Sequence, residues 1–233
     1  TAKHFPGHGD TDTDSHKALP QINHPFTRLD SLEMYPFKKL IDAGIGGVMV
    51  AHLNIPALDS SGVPSTLSKK IISGILKEKL GFKGLIVTDA MNMKGVTTGN
   101  EPGVVDKKAI IAGNDLLEFT EDVPKAIAEI RKAIDQGIIS QAAIDEKCRK
   151  VLAVKQWVGL NHYEPLKTAN IDKELNNSYA EYIQQKLVEK SLTVLKNDQE
   201  LIPLRRLDTL KIASISIGAD KKTAFQENLG WYT

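Results

Sequence analysis

Short apolar runs alternate with amphipathic stretches from the start of the chain. The first run is the stub from Thr1 to Phe5. The second is Gly46-Gly47-Val48-Met49-Val50-Ala51-His52, the third Leu85-Ile86-Val87-Thr88-Asp89, and the fourth Leu116-Leu117-Glu118-Phe119. Each is the length of a buried strand and ends in polar residues. Between the second and third, Ser68 is placed to cap a helix whose Ile71, Ile72, Ile75 and Leu76 recur at helical spacing, with Gly81 as a left-handed stop. After the fourth run, Asp122 and Pro124 open a helix that ends at Gly137, and Ser140 caps another that runs through Cys148 and Val154 to Gly159. A βαβα order of this kind calls for a parallel sheet with helices packed outside it.

From Asn161 to Lys173 the periodicity is lost in a stretch of Asn, His, Pro, Lys and Thr, which reads as an exposed connection. A second domain is expected beyond it: a helix around Asn177 to Lys190, short apolar runs at Leu192–Leu195 and Leu201–Leu204, and a strand from Ile212 to Ile217. The divisions are therefore residues 1–159 for the βα series, 160–175 for the linker, and 176–233 for the opening of the second domain.

Composition narrows the class. The formal charge of +1, with Lys and Arg spread along the chain, gives no basic field and points to no nucleic-acid partner. No apolar stretch approaches the roughly 20 residues of a membrane helix. A single cysteine, Cys148, excludes an intramolecular disulfide. Thr1 is not an initiator methionine and already borders a strand, so the chain is expected to be cut from something longer.

The chemistry is concentrated in Lys3 to His16, KHFPGHGDTDTDSH, where three of the six histidines lie beside Asp10, Asp12 and Asp14. Pro6, Gly7 and Gly9 force a sharp turn after the strand, leaving Lys3 and His4 at its carboxyl end and the rest in a loop above it. In parallel α/β folds that end carries the site. Asp89 closes the third apolar run, where a charge has no packing purpose. Taken singly, each feature has a plainer account: a solvated acidic turn, a salt-bridged lysine, a satisfied core histidine, a helix cap. His4, His8, Asp10, Asp14 and His16 could also serve as zinc ligands, but the Pro-Gly turns scatter them and they lack the spacing of zinc motifs, so no metal is assigned. A non-catalytic binding or structural module is the other rival; intact Asp14, His16 and Asp89 argue against it.

KHFPGHG, then DSH, then a strand ending in TDAMNM resemble family 3 glycoside hydrolases of the β-N-acetylglucosaminidase branch. The resemblance implies the C-terminal half of a (β/α)8 TIM barrel followed by the start of an αβα sandwich domain. The first four barrel strands, with the family's Asp and Arg that hold the sugar, would then lie upstream of Thr1. Such a half-barrel is expected to be poorly soluble alone. By position, Asp89 resembles the nucleophile of a retaining mechanism, His16 the acid/base and Asp14 its dyad partner, while Lys3 and His4 resemble substrate ligands. Residues two apart in an extended loop point the same way, so the Asp14 carboxylate can set the tautomer of His16. A histidine acid is uncommon in this chemistry. After giving up its proton it is neutral, so an anionic acceptor is repelled less, and phosphorolysis stands beside hydrolysis. The implied substrates are N-acetylglucosaminides from peptidoglycan, with β-glucosides or xylosides as alternatives. No metal or organic cofactor is implied, and the added C-terminal domain favours the cell envelope over the cytoplasm. His8 is expected to fix the loop turn, His52 to face the mouth, Met91 and Met93 to pack, and Asp10 and Asp12 to be solvated.

Overall fold

The computed structural model describes residues 1–232. It divides into two compact units, Thr1–Glu164 and Pro165–Thr233.

The first unit is built on four strands: β1 (Ala2–Phe5), β2 (Gly47–Val50), β3 (Leu85–Ala90) and β4 (Leu116–Glu118). All neighbours are parallel and the spatial order is β1-β2-β3-β4. An order that never reverses belongs to a barrel wall; a doubly wound sheet would change direction at a switch point. The sheet and its helices thus form an α/β half-barrel. Helical segments at Tyr35–Asp42, Lys70–Lys79 and Val104–Ala112 make the three crossovers, and Val123–Asp135 and Gln141–Trp157 follow β4. The local marks act as expected. The Asp122 carboxylate accepts from the Lys125 amide, the Ser140 hydroxyl from that of Ala143, and the Ser68 hydroxyl from that of Ile71. The Lys70–Lys79 helix is loosely wound, its last turn closed by the Leu80 amide on the Ile75 carbonyl five residues back.

Apolar faces meet between sheet and helices. Phe5, Val48, Val50 and Ile86 from the strands close on Leu29, Phe37, Ile71, Ile72 and Leu76, with the Phe5 and Phe37 rings edge to face at 5.2 Å. Met91 joins Val96, Val105 and Ala109 in a second cluster, and Met93 is buried as well, so both methionines pack.

Two buried acids tie the crossovers down. Asp115, just before β4, accepts from the Ile86 amide at 2.9 Å and from Lys150 Nζ at 2.8 Å, with Lys147 Nζ at 3.7 Å. Asp59 accepts from Ser61, Ser68 and Lys70. Burial alone would raise the Asp59 pKa, but those hydrogen bonds prevail and hold it down at about 2, against 3.8 for a free side chain. A depressed carboxyl stabilises the fold above its unfolded pKa and stops doing so as pH falls through the folded one. Asp59 should therefore contribute about 2 kcal/mol at neutral pH, lost between about pH 4 and pH 2. Urea midpoints measured across that range, wild type against Asp59→Asn, test this; an unchanged difference between the two proteins would refute it.

The second unit holds helices Ile171–Leu175, Ser178–Ser191 and Ala224–Leu229. The Asn177 side chain caps the middle one. The strand expected at Ile212–Ile217 is not formed: no strand occurs among the described residues of this unit, and Ile215 and Ile217 are 91% and 98% exposed. The apolar runs are present, but a strand without a ladder partner leaves its backbone groups to water and gains nothing over coil. No helix among the described residues is long and apolar enough to cross a membrane.

Candidate active site

The carboxyl ends of the strands bring the expected residues to one face. Lys3 and His4 sit on β1, Asp89 on β3, and His52 follows β2. His4 Nε2 lies 3.8 Å from Asp89 Oδ2, too long for a hydrogen bond but close enough for the charge to be felt. Burial lowers the His4 pKa; Asp89 opposes the shift, while Lys3 and His8 add to it. His4 is thus held toward its neutral form, able both to donate and to accept. Lys3, His4 and His8, with Phe37, line a groove of about 640 Å³.

Asp89 Oδ1 accepts from the amide of Ala90 at 2.9 Å, which fixes the carboxylate and leaves Oδ2 toward His4. The backbone at this point is held from behind. His52 is fully buried, contrary to its expected place at the mouth. Its Nε2 lies 3.0 Å from the Ala90 carbonyl and its Nδ1 2.7 Å from the Thr66 hydroxyl. Burial lowers its pKa, with the Ala90 carbonyl opposing. The ring donates from Nε2–H to the Ala90 carbonyl, while Nδ1 and the Ala51 carbonyl, 2.7 and 2.6 Å from the same Thr66 hydroxyl oxygen, compete for its single proton.

On the loop, Asp14 Oδ1 accepts from the backbone amide of His16 and from its Nδ1, both at 2.9 Å. The amide bond, then the ring bond, lowers the Asp14 pKa. Both side chains are open to solvent, His16 at 75%. With Nδ1–H committed to Asp14, Nε2 is the atom left to exchange a proton. The structure brings Asp14 to His16 and His4 to Asp89; among the described residues no hydrogen bond or ion pair joins the two pairs. His8 Nε2 lies 3.2 Å from Ser15 Oγ, fastening the turn as expected.

Asp10 is not simply solvated. Its Oδ2 lies 2.5 Å from His24 Nε2 and accepts from Arg28 Nη2 at 2.7 Å, while Arg28 Nε donates to Glu33 Oε1 at 3.1 Å. Among the described residues, Asp10, His24 and Glu33 are the one set of possible metal ligands that converges, within 4.8 Å. The residues weighed above as zinc ligands do not converge. Arg28 already supplies the cation between the two carboxylates. Sequence inspection passes over His24, Arg28 and Glu33 because nothing local marks them; the partner that gives them meaning, Asp10, lies 14 positions before His24 and 18 before Arg28.

Known proteins resemble this chain over most of its length. A β-hexosaminidase A of Pseudoalteromonas piscicida is 28% identical over 226 residues, covering 87% of this chain and 37% of that protein. A β-N-acetylglucosaminidase/β-glucosidase of Cellulomonas fimi is 26% identical, covering 88% of this chain and 38% of that protein. The solved structure of a glycoside hydrolase family 3 β-N-acetylglucosaminidase from Paenibacillus sp. superposes with a TM-score of 0.72 at 36% identity, over 83% of this chain and 37% of that one. The chain thus spans well under half the length of these relatives. Residues 1–154 match the glycosyl hydrolase family 3 N terminal domain, and the chain belongs to that family.

Proposed function

We propose that this chain carries the bond-making groups of a retaining exo-β-N-acetylglucosaminidase that acts on peptidoglycan-derived sugars. The observation that carries the reading is the Asp14–His16 pair, a carboxylate 2.9 Å from one imidazole nitrogen with the other nitrogen open to solvent, on the loop that follows β1. Asp89 Oδ2 attacks the anomeric carbon as the His16 Nε2 proton passes to the departing glycosidic oxygen. A covalent glycosyl-Asp89 ester forms and the aglycone leaves. His16, now neutral, takes a proton from water, whose oxygen displaces Asp89 with net retention. Asp14 stabilises the imidazolium and fixes its tautomer. Lys3 and His4 donate hydrogen bonds to sugar hydroxyls. Residues 176–233 are assigned to the beginning of an αβα domain, and 160–175 to its linker.

The assay is release of aryl alcohol from an aryl N-acetyl-β-glucosaminide, with and without phosphate, following the sugar product. Free N-acetylglucosamine supports the hydrolase, and a sugar phosphate makes it a phosphorylase. Cleavage of aryl glucosides instead, the second activity in the name of the Cellulomonas relative, would overturn the substrate assignment. Asp14→Asn should lower turnover about 100-fold or more by disturbing the tautomer; unchanged turnover would remove the dyad.

His52 acts through the Ala90 carbonyl as a positioning residue. His52→Ala frees the backbone behind Asp89, and a displacement of an ångström at a nucleophile costs on the order of 100-fold. The loss should fall on kcat with KM little changed. A rise in KM alone would place His52 in binding.

A further inference from the structure

The loop that carries Asp14 and His16 has an unequal set of attachments. Near its apex they are neutral: the Gly95 amide donates to the Ser15 carbonyl at 3.1 Å, and His8 meets the Ser15 hydroxyl. At its base they are charged. Asp10, four residues before Asp14, is gripped by His24 and by Arg28. Arg28 in turn is held by Glu33, whose side chain is only 7% exposed. Glu33 Oε1 accepts from Arg28, and its Oε2 is buried with no hydrogen-bond partner.

A carboxylate buried in this state depends on the cation beside it, because loss of that cation leaves an uncompensated charge. The dependence fixes Arg28. The guanidinium is a rigid fork that spends Nε on Glu33 and Nη2 on Asp10, so it cannot follow one acid without leaving the other. Gly7 seals the arrangement from above. Its φ is +135°, and a Cβ there would stand 2.7 Å from the Glu33 Cβ, so the turn lies directly on the Glu33 side chain.

We propose that Arg28, pinned by buried Glu33, is the fixed footing of the catalytic loop, and that through Asp10 it positions the Asp14–His16 pair. Asp10, His24, Arg28 and Glu33 are positioning residues and do not touch substrate. The proposal rests on the assignment of Asp14 and His16 as the acid/base pair, and its test is made without substrate.

Amide hydrogen exchange is followed at His16, Lys17 and Ala18, whose N–H groups bond to Asp14, and at Gly95, which bonds to Ser15. In Arg28→Ala and in Asp10→Asn these amides should exchange about tenfold faster or more, while strand amides such as that of Val50 keep their rates. The His16 ring nitrogens should lose the resonance signature of an Nδ1–H bonded to carboxylate. Arg28→Lys should restore only part of the protection, since one ammonium cannot bridge both acids. Lys70→Ala, which removes an ion pair elsewhere, should leave the loop unchanged. If Arg28→Ala does not fold, Asp10→Asn, on the exposed loop, carries the test alone. Unchanged loop exchange would overturn the proposal, and so would acceleration shared equally by the strands, since Arg28 would then serve general stability. A released loop in a protein inactive on every glycoside would condemn the assigned activity and leave the footing intact; a wild-type loop in Arg28→Ala with normal glycosidase activity would do the reverse.

Discussion

Asp89→Ala should lower turnover of an aryl N-acetyl-β-glucosaminide by about 10,000-fold, or about 5.5 kcal/mol in activation free energy. The size follows from the role proposed for Asp89: a nucleophile's loss removes the covalent intermediate and leaves the remaining groups only to bind the sugar and protonate its leaving oxygen. Asp89 is a partly buried residue at a strand end, and among the described residues a single hydrogen bond, from the Ala90 amide, depends on its side chain. The variant should therefore fold. A small anion such as azide, admitted to the space the carboxylate vacates, should restore aryl release and give a glycosyl azide of inverted configuration. That product separates a missing nucleophile from a misfolded protein. Turnover within about tenfold of wild type would take the nucleophile's role away from Asp89.

Asp115→Ala should destabilise the first unit by about 3–5 kcal/mol. Asp115 is buried, and its carboxylate answers the Ile86 amide, Lys150 and Lys147 together. Burial already lowers the Lys147 pKa, with Lys77 adding to the shift and Asp115 opposing it; removal of the acid leaves cations in a place that disfavours them. Asp115→Asn should cost less, because an amide oxygen still accepts from Ile86. Urea denaturation followed by circular dichroism gives the difference, and faster exchange of the Ile86 amide locates it. A loss below about 1 kcal/mol would mean that the lysines turn to solvent and the pair counts for little.

What was legible in the chain was local. Alternating apolar runs located β1 to β4, and Asp122, Ser140, Ser68 and Asn177 cap helices as their types and positions imply. Asp89 stood out as a charge ending a buried strand, and the crowding of Asp14 and His16 into one loop stood out as composition. The helices Tyr35–Asp42 and Val104–Ala112 carry weaker marks, one with Pro36 inside its first turn and the other opening on Gly103. The pairings that support the site are long-range: His52 reaches Ala90 across 38 positions, Lys150 reaches Asp115 across 35, and Arg28 reaches Asp10 across 18. No periodicity encodes such a match, which exists only once the sheet has placed its loops side by side. Ile212–Ile217 fails for the opposite reason, since its pattern suits a strand but no strand among the described residues pairs with it, and its Ser214 and Ser216 meet the Gln226 side chain of a helix instead.

The sheet's unreversed order has a consequence for how such a site can vary. Each crossover leaves one strand and returns to the next, so every loop on the catalytic face is clamped at its base by neighbours that it does not itself build. The exposed tip at Gly62 and Val63 can change its length or polarity while Leu58 and Asp59, buried below it, hold the loop's base, so the ends of β1 and β3, where His4 and Asp89 stand, keep their places. Only part of the site is separable in this way: Asp89 and His4 are held on strands, Asp14 and His16 ride on the β1 loop, and the outer part of the β2 loop is what can vary without moving either pair.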